Sequence, residues 1–253
     1  MPEVIAGSVQ HAQLPVVDLV VERLSQLSGS HAVPIQAAAG TFAEHILRGN
    51  LIHVFGAGHS HMLAEEVFFR AGGLLSFNPL LDPALMLQSA IAAGELERVV
   101  DYAPILLGKY PIANTDAILV ISYSGINPVP VEVARICKSR GMKVVALTSV
   151  SASRGSPARH PSGQRLCDVA DIVLDNTGPV GDASLEVQGL ETAVCGLSTI
   201  VGATILQSVV YETVRRLHAA GYAPPVLRSL NTHADASVNH DALKDHRFRL
   251  QHL

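Results

Sequence analysis

LIHVFGAGHSHMLAEEVFFR, residues 51–70, reads as a strand that runs straight into a glycine turn and then into a helix. Leu51, Ile52, Val54 and Phe55 form a short aliphatic, β-branched and aromatic run suited to a buried strand, and Gly56 and Gly58 break it. Ser60 stands where the helix begins. Helix N-termini carry unpaired amides and a partial positive charge, so Gly56 to Ser60 can hold a phosphate without any lysine. A tight turn with Ser60 as an ordinary N-cap accounts for the same residues, and a lone Gly-x-Gly does not choose between the two.

A second stretch favours the phosphate. Ala117 to Ile121 (AILVI) is another apolar strand that opens into Ser122-Tyr123-Ser124-Gly125-Ile126-Asn127, with a helical pattern after Pro130. In a parallel sheet both loops lie at the carboxyl edge, where open α/β folds bind ligands. Ser122, Ser124 and Asn127 are short donors spaced as in a loop that curls round an anion, and Gly125 permits close backbone approach. Serine-rich turns are usually only turns, but two of them follow buried strands here.

The pair GAGHS and SYSGIN, with the strand Lys143 to Thr148 (KVVALT), resembles the sugar isomerase (SIS) domain, the phosphosugar-binding fold, over about Leu51 to Asn176. The resemblance implies a three-layer α/β/α fold with a five-stranded parallel sheet flanked by helices, plus helical N- and C-terminal extensions. The corresponding division is a helical arm over 1–50, a core over 51–185, and a long helix with a polar tail over 186–253. It also implies that the phosphate is held by Gly58, Ser60, Ser122, Tyr123, Ser124, Gly125 and Asn127. Most relatives carry threonine where Asn127 stands. A homodimer or higher homo-oligomer, with the site near the subunit interface, is the further expectation from the family.

Composition limits the function classes. A net charge of −4 and the absence of lysine runs give no electrostatic reason to expect nucleic acid or an anionic membrane as partner. No apolar run has the length of a membrane span and the N-terminus lacks the pattern of a signal peptide, so the expected address is cytoplasmic. Cys137, Cys167 and Cys195 are far apart and read as reduced, mostly buried thiols. His59, His61 and Glu66 match no zinc signature, and no metal or cofactor is expected.

Along the chain, helices are expected over Gln13–Leu27, Ile35–Leu47, Met62–Ala71, Val131–Arg140 and Thr192–Ala220, the last apolar enough to be buried. Strands are expected at Leu74–Phe77 and Asp171–Leu174. Asn78, Pro79 and Asp82 read as turn chemistry, and Pro104 shortens or kinks an amphipathic stretch over Glu95–Tyr110. Ser149–Gly163 reads as a mobile polar loop, with a lid as its functional alternative. The tail Pro224–His246 carries hydrogen-bonding side chains that suggest docking at a site.

A sugar phosphate is processed by a base that removes the proton beside its carbonyl and an acid that protonates an oxygen. Glu65 and Glu66 follow the first loop on its helix. Catalytic glutamates in some relatives lie about one turn further on, a face that Glu66 shares and Glu65 does not. Glu66 is therefore the expected base, against the alternative that it only pairs with Arg70. His59 and His61 flank Ser60, and His233 and His240 are the tail histidines that could complete the site. Three activities follow: a lyase of amino-sugar 6-phosphates that abstracts the C2 proton and expels the C3 substituent, an aldose-ketose isomerase, or a non-catalytic sensor. The lyase is preferred because the GAGHSH loop sets imidazoles beside a helix carboxylate and because the lysine-bearing C-terminal motif similar to that of amino-sugar synthases is missing. An acidic chain with no basic arm disfavours the sensor.

Overall fold

The structure is a computed structural model that describes residues 14–232, 236–246 and 248–253. Five short apolar runs pair in parallel: β1 (Ile52–Gly56), β2 (Phe77–Leu80), β3 (Ala117–Ile121), β4 (Lys143–Thr148) and β5 (Ile172–Asp175), in the order β2-β1-β3-β4-β5. Every residue of β1 and β3 is buried, as a parallel sheet covered on both faces requires. Alternate side chains then feed opposite cores. Ile52, Val54, Leu119, Val145 and Leu147 enter one, and Phe55, Ile118, Val120, Val144 and Ala146 the other.

The first core is roofed by α2 (Ala32–Leu47), α3 (Ser60–Glu66) and α9 (Ser198–Ala219), through Phe42, Ile46, Leu63, Ile205 and Val209. Phe42 meets Phe77 edge-on at 5.8 Å between ring centres, tying α2 to the outer strand; such pairs add about 0.5–1.5 kcal/mol beyond area burial. The second core is covered by α5 (Ala103–Leu107), α6 (Pro128–Ser139) and α8 (Leu166–Val169). The remaining elements are α1 (Pro15–Ser25), α4 (Ala90–Leu96), α7 (Val150–Arg154), a hairpin of β6 (Ala183–Leu185) and β7 (Val194–Gly196), and α10 (His240–His246). Among the described residues no helix is long and apolar enough to cross a membrane.

Several local expectations are corrected. The second strand begins at Phe77 rather than Leu74, and Asn78-Pro79 lie inside it instead of turning. Pro79 is tolerated because β2 is an outer strand whose free edge asks for no amide there. Leu74 instead bridges Val226 of the C-terminal segment. The helix after the first loop stops at Glu66, and Phe69 adopts φ +42°; Val67, Phe68 and Phe69 are weak helix formers that crowd the preceding turn. Pro104 sits in the first turn of its own short helix α5, where its missing amide costs little.

The segment 149–163 is not a bare loop. Ser149 caps α7 by accepting from the Ala152 amide, and Arg165 donates to the Ser153 and Ser156 carbonyls. The long helix starts at Ser198, because β7 takes the residues before it, and Ile200 and Tyr211 on it are exposed. Of the three cysteines only Cys137 is buried, which pushes its thiol up to about 12; Cys167 is half-buried and Cys195 exposed.

Candidate functional site

β1, β3, β4 and β5 end at the same edge of the sheet, so the loops after them converge. The first turn depends on Gly56, where a Cβ would lie 2.4 Å from the Ser60 carbonyl oxygen, and on Gly58 at φ +54°. The second depends on Gly125: its φ is +61°, and a Cβ there would meet Thr148 Oγ1 at 2.7 Å. Its amide donates to Ser122 Oγ (3.2 Å), while the Tyr123 carbonyl accepts from Thr148 Oγ1 (3.0 Å) and the Ser149 amide (2.8 Å). The serine loop is thereby stitched to the end of β4.

Between the loops lies a cavity of about 340 Å³. Of the residues singled out from sequence, Gly58, His59, Ser60, Ser122, Tyr123, Ser124 and Asn127 line it, with Gly125 shaping its wall. Ser60 and Ser124 are half-buried and His59 exposed. Among the described residues no lysine or arginine lines the cavity, so an anion here would be held by hydroxyls and amides. The Tyr123 hydroxyl is engaged with the Pro179 carbonyl, and burial, then Asp182, raises its pKa. Asn127 is also committed. Its Oδ1 accepts from Arg159 (2.8 Å), and it lies near enough to Glu97 to lower that carboxyl's pKa.

The other expected residues lie elsewhere. Glu66 is bonded to Arg70 and accepts from Gln207 of α9 (3.1 Å). Neither it nor Glu65 lines the cavity. His61 is buried against the Gly58 carbonyl with Nε2 3.6 Å from Glu65, so these two satisfy one another along α3. The reason is helical geometry: five and six residues after Ser60, a side chain has rotated toward α9 or toward solvent. His240 lies on a separate groove with Phe69, Phe248 and His252, and His233 falls outside the described residues. The tail docks, but at the amino edge of the sheet, where Arg249 binds Asp116 at 2.8 and 2.6 Å. Among the described residues no cluster of His, Cys, Asp or Glu is arranged for a metal.

Several cavity residues escaped the sequence reading, Glu97, Asp182 and Ser198 among them. Glu97 sits in the charged run GELERVVD, which reads as a solvated helix face. Ser198 opens α9, and Asp182 caps it, accepting from the Leu197 and Ser198 amides (3.1 and 3.0 Å) and from Ser198 Oγ (2.6 Å). Asp182 follows the carboxyl end of β5, so the rule that located the two serine loops also reaches it. A small void adjoins the cavity beside Ser60 and Ser198, and on its wall the buried Asn176 Oδ1 has no partner.

A model of the SIS domain family matches residues 17–149, and the chain belongs to that family. A UPF0309 protein of Listeria innocua is 40% identical over 230 residues, covering 90% of this chain and 93% of the relative. Another, from Halalkalibacterium halodurans, is 40% identical over 216 residues, with 85% and 86% covered. Among solved structures, a candidate phosphosugar isomerase of Silicibacter pomeroyi aligns at TM-score 0.53 and 19% identity, over 81% of this chain and 52% of that one. One of Bacteroides fragilis, involved in capsule formation, aligns at 0.50 and 18%, over 81% and 88%. At such identities the likeness is one of fold, and it matches the five-stranded parallel sheet flanked by helices.

Proposed function

We propose that this protein is a sugar-phosphate lyase acting on an amino-sugar 6-phosphate such as N-acetylglucosamine 6-phosphate. It would abstract the C2 proton and eliminate the C3 substituent, as a dehydratase or etherase does. The reading rests on one observation: hydroxyls of both serine loops, the His59 imidazole and two carboxylates line one cavity at the carboxyl edge of the sheet. Ser60, Ser122 and Ser124 bind the phosphate with the backbone around Gly58 and Gly125, and Tyr123 and Asn127 hold the loop in shape. The His59 imidazole has no hydrogen bond to another described residue and is the acid for the departing oxygen. An elimination needs a base and a separate acid, and a carboxylate with an imidazole supplies both.

An aldose-ketose isomerase shares the first proton step and is the second reading, favoured by the family's fold neighbours. Exposed Val17, Val21 and Tyr211 on α1 and α9, with Leu14 just before α1, fit self-association into a homodimer, which sedimentation velocity tests. The deciding experiment is incubation with N-acetylglucosamine 6-phosphate, glucosamine 6-phosphate, fructose 6-phosphate and sedoheptulose 7-phosphate in deuterium oxide, followed by proton and phosphorus NMR. An unsaturated product from an N-acetylated sugar is expected. A ketose or aldose product replaces the lyase by the isomerase, and shifted phosphorus lines without exchange reduce the protein to a binding module.

A further inference from the structure

Two carboxylates line the serine-loop cavity, and they differ in what they are free to do. Asp182 spends both oxygens on the start of α9, accepting two amides and the Ser198 hydroxyl. That is the role of a helix cap. Glu97 stands just past the end of α4, and its carbonyl accepts the Val129 amide (3.1 Å) in the first turn of α6, so its backbone is fixed to the helix that follows the serine loop. Its carboxyl lies near Asn127, which lowers its pKa and whose orientation is set by Arg159 donating to Asn127 Oδ1 at 2.8 Å. Among the described residues no hydrogen bond to its carboxylate is made by another side chain, so acceptor capacity is left over toward the cavity that it lines.

We propose that Glu97 is the catalytic base of this site, taking the proton beside the carbonyl of a bound sugar phosphate, with Asn127 and Arg159 as its positioning residues. The assignment rests on the sugar-phosphate reading above and replaces Glu66, whose carboxylate is committed to Arg70 and Gln207. In the step, the C–H bond breaks and its proton passes to a Glu97 oxygen. The electron pair moves into the adjoining carbon–carbon bond as the carbonyl oxygen takes up the charge. In deuterium oxide Glu97 then trades that proton for a deuteron and can return it to carbon.

The electrostatics suit the task. Burial raises the Glu97 carboxyl above its ordinary value, while the neighbouring Asn127 and the charges of Arg98 and Arg159 pull it back. Asp182 and His59 share the same cavity, and a bound phosphate would push the carboxyl further up. A carboxylate adjusted upward is a stronger base once ionised. The half-reaction must therefore lose rate on the acid side, and that limb must follow the charges around Glu97.

The test uses the full chain and the four sugar phosphates above. Phosphorus NMR reports binding, and proton NMR in deuterium oxide reports exchange beside the carbonyl. For the sugar that exchanges, Glu97→Gln is expected to slow exchange at least about 100-fold, the scale of a lost general base, while the phosphorus shift on binding persists. Arg159→Met is expected to exchange still, with its acid limb moved to higher pH, because removing a positive charge raises the carboxyl further. A purely structural Arg159 would not move that limb, and this variant carries the test if Glu97→Gln does not fold. Exchange by Glu97→Gln within threefold of the unaltered protein, or an unmoved limb in Arg159→Met, overturns the assignment while leaving phosphate binding intact. Unshifted phosphorus lines, or binding without exchange in the unaltered protein, overturn the underlying reading and the base with it.

Discussion

The two edges of the sheet both bury polar side chains, yet they use them in opposite ways. At the amino edge, Asp116 accepts from the Leu51 and Ala113 amides (both 2.9 Å), from His53 Nε2 (3.0 Å) and from Arg249. His53 meets Asn78 on its other nitrogen at 3.0 Å. Among the described residues Asn78 Oδ1 is left over in that network, and Ser76 Oγ just before β2 is also buried without a partner. At the carboxyl edge, the Ser60 and Ser124 hydroxyls and the His59 imidazole have no partner among the described residues, and Asn176 Oδ1 is orphaned. Buried polar groups that satisfy each other hold a fold together, and groups that leave valences open at a cavity await a ligand. Both His53 and His59 lie on or just after β1, so the sequence position of a histidine says little about which kind it is.

The largest effect that separates the edges should come from Asp116→Ala. It strands Arg249, His53 and two amides, and breaking a buried ion pair by removing one member costs about 3–5 kcal/mol. Urea unfolding measures it; a loss below about 1 kcal/mol would dissolve the contrast. The pH dependence has a definite sign. Burial alone would raise the Asp116 carboxyl, but the bonds from His53, Arg249 and the amides hold it well below the usual carboxylate range. A depressed folded pKa contributes stability above the unfolded value of about 3.9, lost as pH falls through the folded value. The stability that Asp116 contributes should therefore be lost only below about pH 4, and Asp116→Ala should remove that part of the acid descent.

Gly125→Ala should come next and should act on both stability and binding. A left-handed backbone costs a residue with a Cβ about 1–2 kcal/mol, and here the added carbon also collides with Thr148 Oγ1. The expected result is a lower thermal midpoint together with a weakened phosphorus shift. Normal binding in a destabilised protein would detach the loop from the phosphate.

Much of the layout was legible because parallel strands must be apolar on both faces and must end in turns. AILVI and KVVALT appear as strands with the bounds read from sequence, and so do the glycines that shape both serine loops. What stayed hidden was tertiary. Nothing local in GELERVVD distinguishes Glu97, carried under the serine loop by the Val129 amide, from a solvated glutamate. The reverse holds for Glu66, which follows the loop in sequence but accepts from Gln207 of α9 and does not line the cavity. Asn78-Pro79 looked like a turn because proline rarely enters strands, and only knowledge that β2 is outermost admits it.

Ser124→Ala should give the smallest change and the cleanest division between the edges. Its hydroxyl bonds no other described residue, so removal strands nothing and should change folding stability by less than about 0.5 kcal/mol. A hydrogen bond to a charged ligand group is worth about 1.5–3 kcal/mol, so affinity for the sugar phosphate should fall at least about tenfold. Urea unfolding and phosphorus-detected titration on the same sample measure both quantities. Equal affinity would move the phosphate off the second loop and onto Ser60 and the Gly58 turn. A large loss of stability would mean that Ser124 belongs to the closed kind of polar group found around Asp116, and the distinction between the edges would fail at the residue where it should be sharpest.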